Sequence, residues 1–166
     1  MQMEKFNEQE ALRFSKELLS LYFEKRDMNT IAGYIAERTS WIGTGEGELC
    51  HNSEEAAAAL ANELSEYGDC FTVVATDFHF TPSTGNGGIV YGTMRAIPND
   101  HTLSEENIRL SAVLEQGESD MRLLHLHFSH ADMEQEQGHY FVKQTARSDN
   151  QSLRAELNIR ERQLAN

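Results

Sequence analysis

Cationic residues are scarce in this chain. Lys and Arg number 14 against 27 Asp and Glu over 166 residues, a formal net charge of -13. So acidic a surface repels phosphate backbones and anionic lipid headgroups, so neither nucleic acid nor a membrane surface is an expected partner. Cysteine is nearly absent too. Cys50 and Cys70 are not closely spaced, so neither a disulfide framework nor a zinc knuckle is signalled, and a cytoplasmic protein with two reduced thiols is expected. No apolar run reaches membrane-spanning length, and the opening MQMEKFNEQE lacks the apolar core of a signal peptide. The stretch GTGEG lacks the lysine of a phosphate loop, and Glu46 within it and Glu48 next to it would repel phosphate. No cofactor and no metal are expected.

What is present suits one globular domain: 39% hydrophobic and 25% charged residues, in a chain long enough to bury a core. Helical spacing of Phe14, Leu18, Leu21 and Tyr22 predicts a first helix over Glu4–Lys25. Asp27 can cap a second over Met28–Glu37, with Ile31, Tyr34 and Ile35 on its apolar side. A short strand follows over Ser40–Glu48. Ser53 is a candidate N-cap for a third, alanine-rich helix reaching Tyr67, with Glu54 and Glu55 complementing its dipole. After Gly68 the pattern turns to strands over Phe71–Phe80, Gly88–Ile97, Arg109–Gln116 and Met121–His130, separated by Pro- and Gly-containing breaks. Helices followed by successive strands specify an α+β fold: three N-terminal helices packed on a curved, mainly antiparallel sheet, with a C-terminal extending helix. In the last strand, RLLHLHFSH, period two places Leu124, Leu126 and Phe128 on the buried face. Leu123, His125, His127 and Ser129 then fall on the other.

This order resembles the SnoaL-like branch of the nuclear-transport-factor-2-like superfamily. The resemblance rests on YFEKRDMNTIAGYIAERTSWIGTGEGE (Tyr22–Glu48), the alanine-rich helix and the strand meander, and on RLLHLHFSHADMEQEQGHYF near the end. It implies a cone-shaped domain over residues 1–142, of the kind placed ahead of output domains in bacterial signalling proteins. The same cone hosts isomerases, cyclases, dehydratases and non-catalytic sensors, so the site must decide the function.

Candidate residues are therefore weighed singly. Asp77 and His79 in TDFHF form a conceivable acid–base pair, with His127 a further titrating group. Strict alternation puts Asp77 and His79 on one face with Phe71 and Val73, and Phe78 and Phe80 on the other. His125 and His127 share a strand face, but metal motifs bring a further ligand at defined spacing, so imidazoles lining a polar face are the better reading. No residue is assigned a catalytic role. Tyr22, Tyr34, Trp41, Phe71, Tyr91, His125 and His127 are the expected lining of a ligand cavity. Trp41 ahead of Gly43 and Gly45 can form a pocket wall that leaves backbone free to approach a ligand.

Residues 143–166 read as a connector helix, with Ala146, Asn150, Leu153, Leu157, Arg160 and Leu164 forming a weak heptad seam. The expected function is a non-catalytic sensory or dimerisation domain, the input module of a bacterial signalling protein. It would be a homodimer paired partly through the sheet, accepting a small apolar or aromatic molecule. A SnoaL-like enzyme using cavity acid–base residues is the alternative.

Overall fold

The computed structural model describes residues 6–100, 103–118 and 120–131. Helix α1 spans Glu8–Leu19; the Asn7 side chain caps it by accepting from the Glu10 N–H at 2.9 Å. Ala11, Phe14, Ser15, Leu18 and Leu19 form its buried stripe. The helix runs on as a π-helical turn, Ser20–Lys25, whose wider winding buries Leu21, Tyr22 and Phe23 in succession. Arg26 ends it in the left-handed conformation at φ 53°, a position that a bulky residue holds only when its surroundings compel it.

Asp27 caps α2 (Met28–Tyr34), accepting from the Thr30 N–H at 3.1 Å and its hydroxyl at 2.6 Å. The helix is shorter than expected. Ile35 opens strand β1 (Ile35–Ile42), which runs parallel to the last strand with Trp41 opposite Leu126. This pairing with a distant segment competes with local helix propensity and wins. A two-residue strand β2 (Leu49–Cys50) pairs with β1. Helix α3 (Ser53–Glu66) is capped by Asn52 rather than Ser53: the Asn52 side chain accepts from the Glu55 N–H at 2.9 Å. Glu55 reaches back to the His51 N–H at 2.8 Å, closing a reciprocal cap. Ser53 instead donates to the Glu37 carbonyl.

Strands β3 (Phe71–Pro82), β4 (Gly87–Pro98), β5 (Glu106–Gln116) and β6 (Met121–His130) form the antiparallel meander. The six strands described are ordered β2-β1-β6-β5-β4-β3. The result is the expected α+β cone, three helices on one face of a curved sheet that is antiparallel except at β1–β6. The expected helix over 143–166 lies outside the described residues.

Two bulges correct the alternation read from the sequence. In β6, Leu114 pairs with Leu123 while Val113 pairs with His125, so Leu124 is the extra residue. Leu123, Leu126 and Phe128 are therefore buried, and Leu124 is only half-buried. Thr39 fastens β1 at this point, its hydroxyl donating to the Leu123 carbonyl at 2.5 Å. In β3 the register shifts between Ala75 and Asp77. Phe71 and Val73 pack inward before the shift, as do Phe78 and Phe80 after it, while Asp77 and His79 turn outward. Gly92 makes this close passage possible, because a Cβ there would collide with the Asp77 carbonyl oxygen. Among the described residues, no helix is long and apolar enough to cross a membrane.

Candidate functional site

A cavity of about 240 Å³ lies between the π-helical turn, α3, the β1–β2 loop and the inner face of β5 and β6. Among the described residues, six aromatics line it: Tyr22, Phe23, Trp41, Tyr67, Phe71 and Phe128. They form a connected set. Tyr22 lies 5.5 Å from Trp41 and 5.9 Å from Phe128, Trp41 5.8 Å from Phe128, and Tyr67 5.3 Å from Phe71, between ring centroids. These separations suit tilted and edge-on aromatic packing. Leu60, Ile108 and the Cys50 thiol complete the buried wall, and exposed Thr44, Glu48, Leu103 and Glu106 form the rim. Burial pushes the Cys50 thiol above its ordinary pKa, which keeps it protonated and unreactive.

The polar feature of this wall is a network around Glu63. The Tyr22 hydroxyl donates to Glu63 Oε2, and Arg26 Nη1 donates to Oε1 at 2.9 Å. The Arg26 side chain is only 4% exposed. It also donates to the Tyr22 carbonyl at 3.2 Å and the Tyr67 carbonyl at 2.9 Å, and its guanidinium carbon lies 5.6 Å from the Tyr22 ring centroid. These bonds hold Arg26 in its left-handed conformation and tie the helix end to the end of α3. Burial first, then the neighbouring Glu63 charge, raises the Tyr22 hydroxyl well above its ordinary pKa. Tyr22 therefore remains a neutral phenol that donates a hydrogen bond.

At the rim, Glu48 folds back over the β1–β2 loop, and its Oε2 accepts from the Gly45 N–H at 2.9 Å. A Cβ on Gly43 would strike that carboxylate, so the glycine leaves room for Glu48 rather than baring the loop. Trp41 is the pocket wall that the sequence suggested, but the space over Gly43 and Gly45 holds the Glu48 side chain.

Of the residues expected in a cavity, the structure brings Tyr22, Trp41 and Phe71 together and places the others elsewhere. Tyr34 packs edge-on against Phe14 at 5.0 Å, with its hydroxyl 3.5 Å from Glu17. Tyr91, 44% exposed, lies on the outer sheet face beside His79, ring centroids 5.5 Å apart. His125 and His127 are half-buried on that same outer face, 6.5 Å apart, and His125 Nδ1 lies 2.7 Å from the Ser40 hydroxyl. Burial first, and then His127, lowers the pKa of His125. Asp77 Oδ1 and His79 Nε2 do meet, at 2.8 Å, with side chains 69% and 54% exposed. They are on the opposite side of the sheet from the cavity, put there by the β3 bulge. Among the described residues, no histidine lines the cavity. Among the described residues, no three His, Cys, Asp or Glu side chains converge as a metal site.

Sequence reading missed Arg26, Glu63, Glu48 and Glu106. Each sits in a polar stretch that reads as solvated surface. The one local signal was Arg26 four residues after Tyr22, the spacing that stacks two side chains on a helix.

An aromatic cavity enclosed by helices and a bulged, curved sheet defines a cone-type α+β domain. A SnoaL-like domain profile matches residues 16–133, well over half of the chain, and the chain belongs to the SnoaL-like domain family. No curated protein sequence matches it. Among solved structures it is similar to an NTF2-like protein of unknown function from Pseudomonas putida KT2440: 13% identity over 81% of this chain and 94% of that one, TM-score 0.67. It is also similar to a candidate dehydratase of the NTF2-like family from Streptomyces avermitilis, at 16% identity, 74% and 95% coverage and TM-score 0.65. A candidate calcium/calmodulin-dependent protein kinase II association domain from Xanthomonas campestris gives 14%, 75% and 87%, and 0.62. Identities this low speak for the fold alone, and the differing names show that the fold leaves function open.

Proposed function

We propose that this domain is a non-catalytic sensory and dimerisation module that holds a small apolar or aromatic molecule in the cone, as an input module of a bacterial signalling protein. The observation that carries the reading is the state of Glu63. It is a carboxylate on the cavity wall, and both its oxygens are engaged, one by the Tyr22 hydroxyl and one by Arg26. A general base needs a free oxygen within reach of a substrate proton, and the Asp77–His79 pair faces away. Apart from Thr44, Glu48 and Glu106 at the rim, the remaining wall is mainly aromatic and aliphatic, the usual lining of a small-molecule site.

The test uses Trp41, the single tryptophan of the chain, which lines the cavity and is 7% exposed. Titration with phenethyl alcohol should change its emission saturably. Ala59→Phe, a substitution at an exposed helix position on the cavity edge, should abolish the change while leaving the far-ultraviolet circular dichroism spectrum intact. Unaltered binding in the Ala59→Phe protein would place the site elsewhere and sink the reading.

The alternative, a SnoaL-like enzyme, has one observation in its favour: the tyrosine–carboxylate–guanidinium network is a titratable group set on a cavity wall. If turnover depended on it, Tyr22→Phe would remove activity without removing ligand binding.

The dimer is proposed through the outer sheet face. Val74, Ile89 and Tyr91 stand 39–44% exposed there, near half-buried His125 and His127, giving an apolar surface that a second copy can cover about a twofold axis.

A further inference from the structure

The charge distribution around the cavity deepens the ligand-site reading, on which the following rests. Among the described residues, three carboxylates line the cavity: Glu48, Glu63 and Glu106. Among the described residues, no lysine and no arginine lines the cavity. Arg26 sits behind the wall and is bonded to Glu63, so those two charges cancel locally. Glu48 is engaged by a neutral donor, the Gly45 N–H. Glu106 has His130 Nε2 at 3.7 Å, an imidazole that carries charge only when protonated. The rim thus presents two carboxylates above a floor of six aromatic rings.

We propose that the cavity selects a small organic cation, a primary or methylated ammonium on a short aromatic or branched aliphatic body. The electron-rich ring faces would hold the apolar body and the near side of the ammonium, with Glu48 and Glu106 facing its charge. Ring faces attract a cation through their quadrupole, and the attraction grows when the cation leaves water. Carboxylates at the mouth disfavour anions of the same shape, a repulsive element that gives selectivity as well as attraction. The volume of about 240 Å³ equals roughly eight water volumes, which limits the occupant to a monoamine-sized molecule. The acidity of the whole chain raises the local concentration of any cation approaching the mouth.

The experiment titrates the full chain with three probes of nearly one shape: phenethylammonium, phenethyl alcohol and hydrocinnamate. Trp41 emission is the readout. The ammonium should bind at least about tenfold tighter than the alcohol, the order expected of a partly desolvated cation–aromatic contact, and the carboxylate weakest. The double variant Glu48→Gln/Glu106→Gln should erase most of the preference for the ammonium and leave the alcohol unchanged. Glu46→Gln removes a neighbouring loop charge that does not line the cavity, and should leave all three affinities alone. If the alcohol binds as tightly as the ammonium, the cation class is wrong although the cavity remains a ligand site. If Glu46→Gln lowers ammonium affinity as much as the double variant does, the attraction is diffuse and the proposal is overturned. If none of the probes alters Trp41 emission saturably, the ligand-site reading falls with it.

Discussion

Arg26→Met tests the bonds that organise the cavity wall. The methionine keeps much of the apolar stem and removes the guanidinium, so the loss is mainly of polar contacts. Two main-chain carbonyls, those of Tyr22 and Tyr67, lose their donor, at about 1 kcal/mol each and more if no water replaces it. Glu63 loses its ion pair. Because the Glu63 side chain is 40% exposed, solvent screens this term to roughly 1 kcal/mol, far below the cost of breaking a fully buried pair. The expected loss is about 3 kcal/mol, a sizeable share of the 5–15 kcal/mol that typical domains possess. Urea unfolding followed by Trp41 emission measures it, with the m-value confirming that the transition stays two-state. Glu63→Gln should cost only about 1 kcal/mol, since it leaves the carbonyl bonds of Arg26 in place. An Arg26→Met loss below about 1 kcal/mol would refute the view that this arginine fastens the helix end to α3.

Other expectations follow from the bulges and the outer face. Leu123→Ala should cost roughly 2–5 kcal/mol and Leu124→Ala much less; equal losses in urea unfolding would place the bulge elsewhere. Leu126→Asp buries an unpaired charge at a site 3% exposed and should abolish cooperative unfolding. A cooperatively folded variant would contradict the assigned inner face. The lowered His125 pKa means that folding favours its neutral form. Its contribution is complete above the ordinary value of 6.5 and declines as pH falls from there through the folded-state pKa, because the unfolded chain binds the proton more readily. His125→Gln should flatten that part of a stability-against-pH curve; an unchanged slope would remove His125 as its source. Tyr91→Glu should shift the protein from dimer to monomer in sedimentation velocity, and a dimer of unchanged affinity would exclude the outer sheet face.

How far the sequence could be read depended on whether a feature was local. The caps at Asp27 and at the start of α3 rest on side chains within three residues of the amide they bind, and were readable to within one position; Asn52 and Ser53 are both good caps, and only tertiary contact gives Ser53 the Glu37 carbonyl instead. The meander strands were legible because period two holds over most of their length. It fails where one residue is inserted. At Leu124 and between Ala75 and Asp77, the extra residue exchanges inner and outer faces, and nothing in LLHL or ATDFHF marks the insertion. Strand β1 was read too late in the chain, at Ser40–Glu48 instead of Ile35–Ile42, because its partner β6 is distant in sequence and no local signal marks that pairing. The candidate site divided in the same way. Tyr22, Trp41 and Phe71 could be suspected as large aromatics near turns. Arg26 and Glu63 could not, since their meaning arises only when the end of the first helix meets the end of α3.

The most direct test of the central claim is where an aromatic ligand sits. Intermolecular nuclear Overhauser effects between bound phenethyl alcohol and the assigned protein should connect its ring protons to Trp41, Phe71 and Phe128. Contacts instead to Tyr91, His125 or His127, on the outer sheet face, would contradict the account.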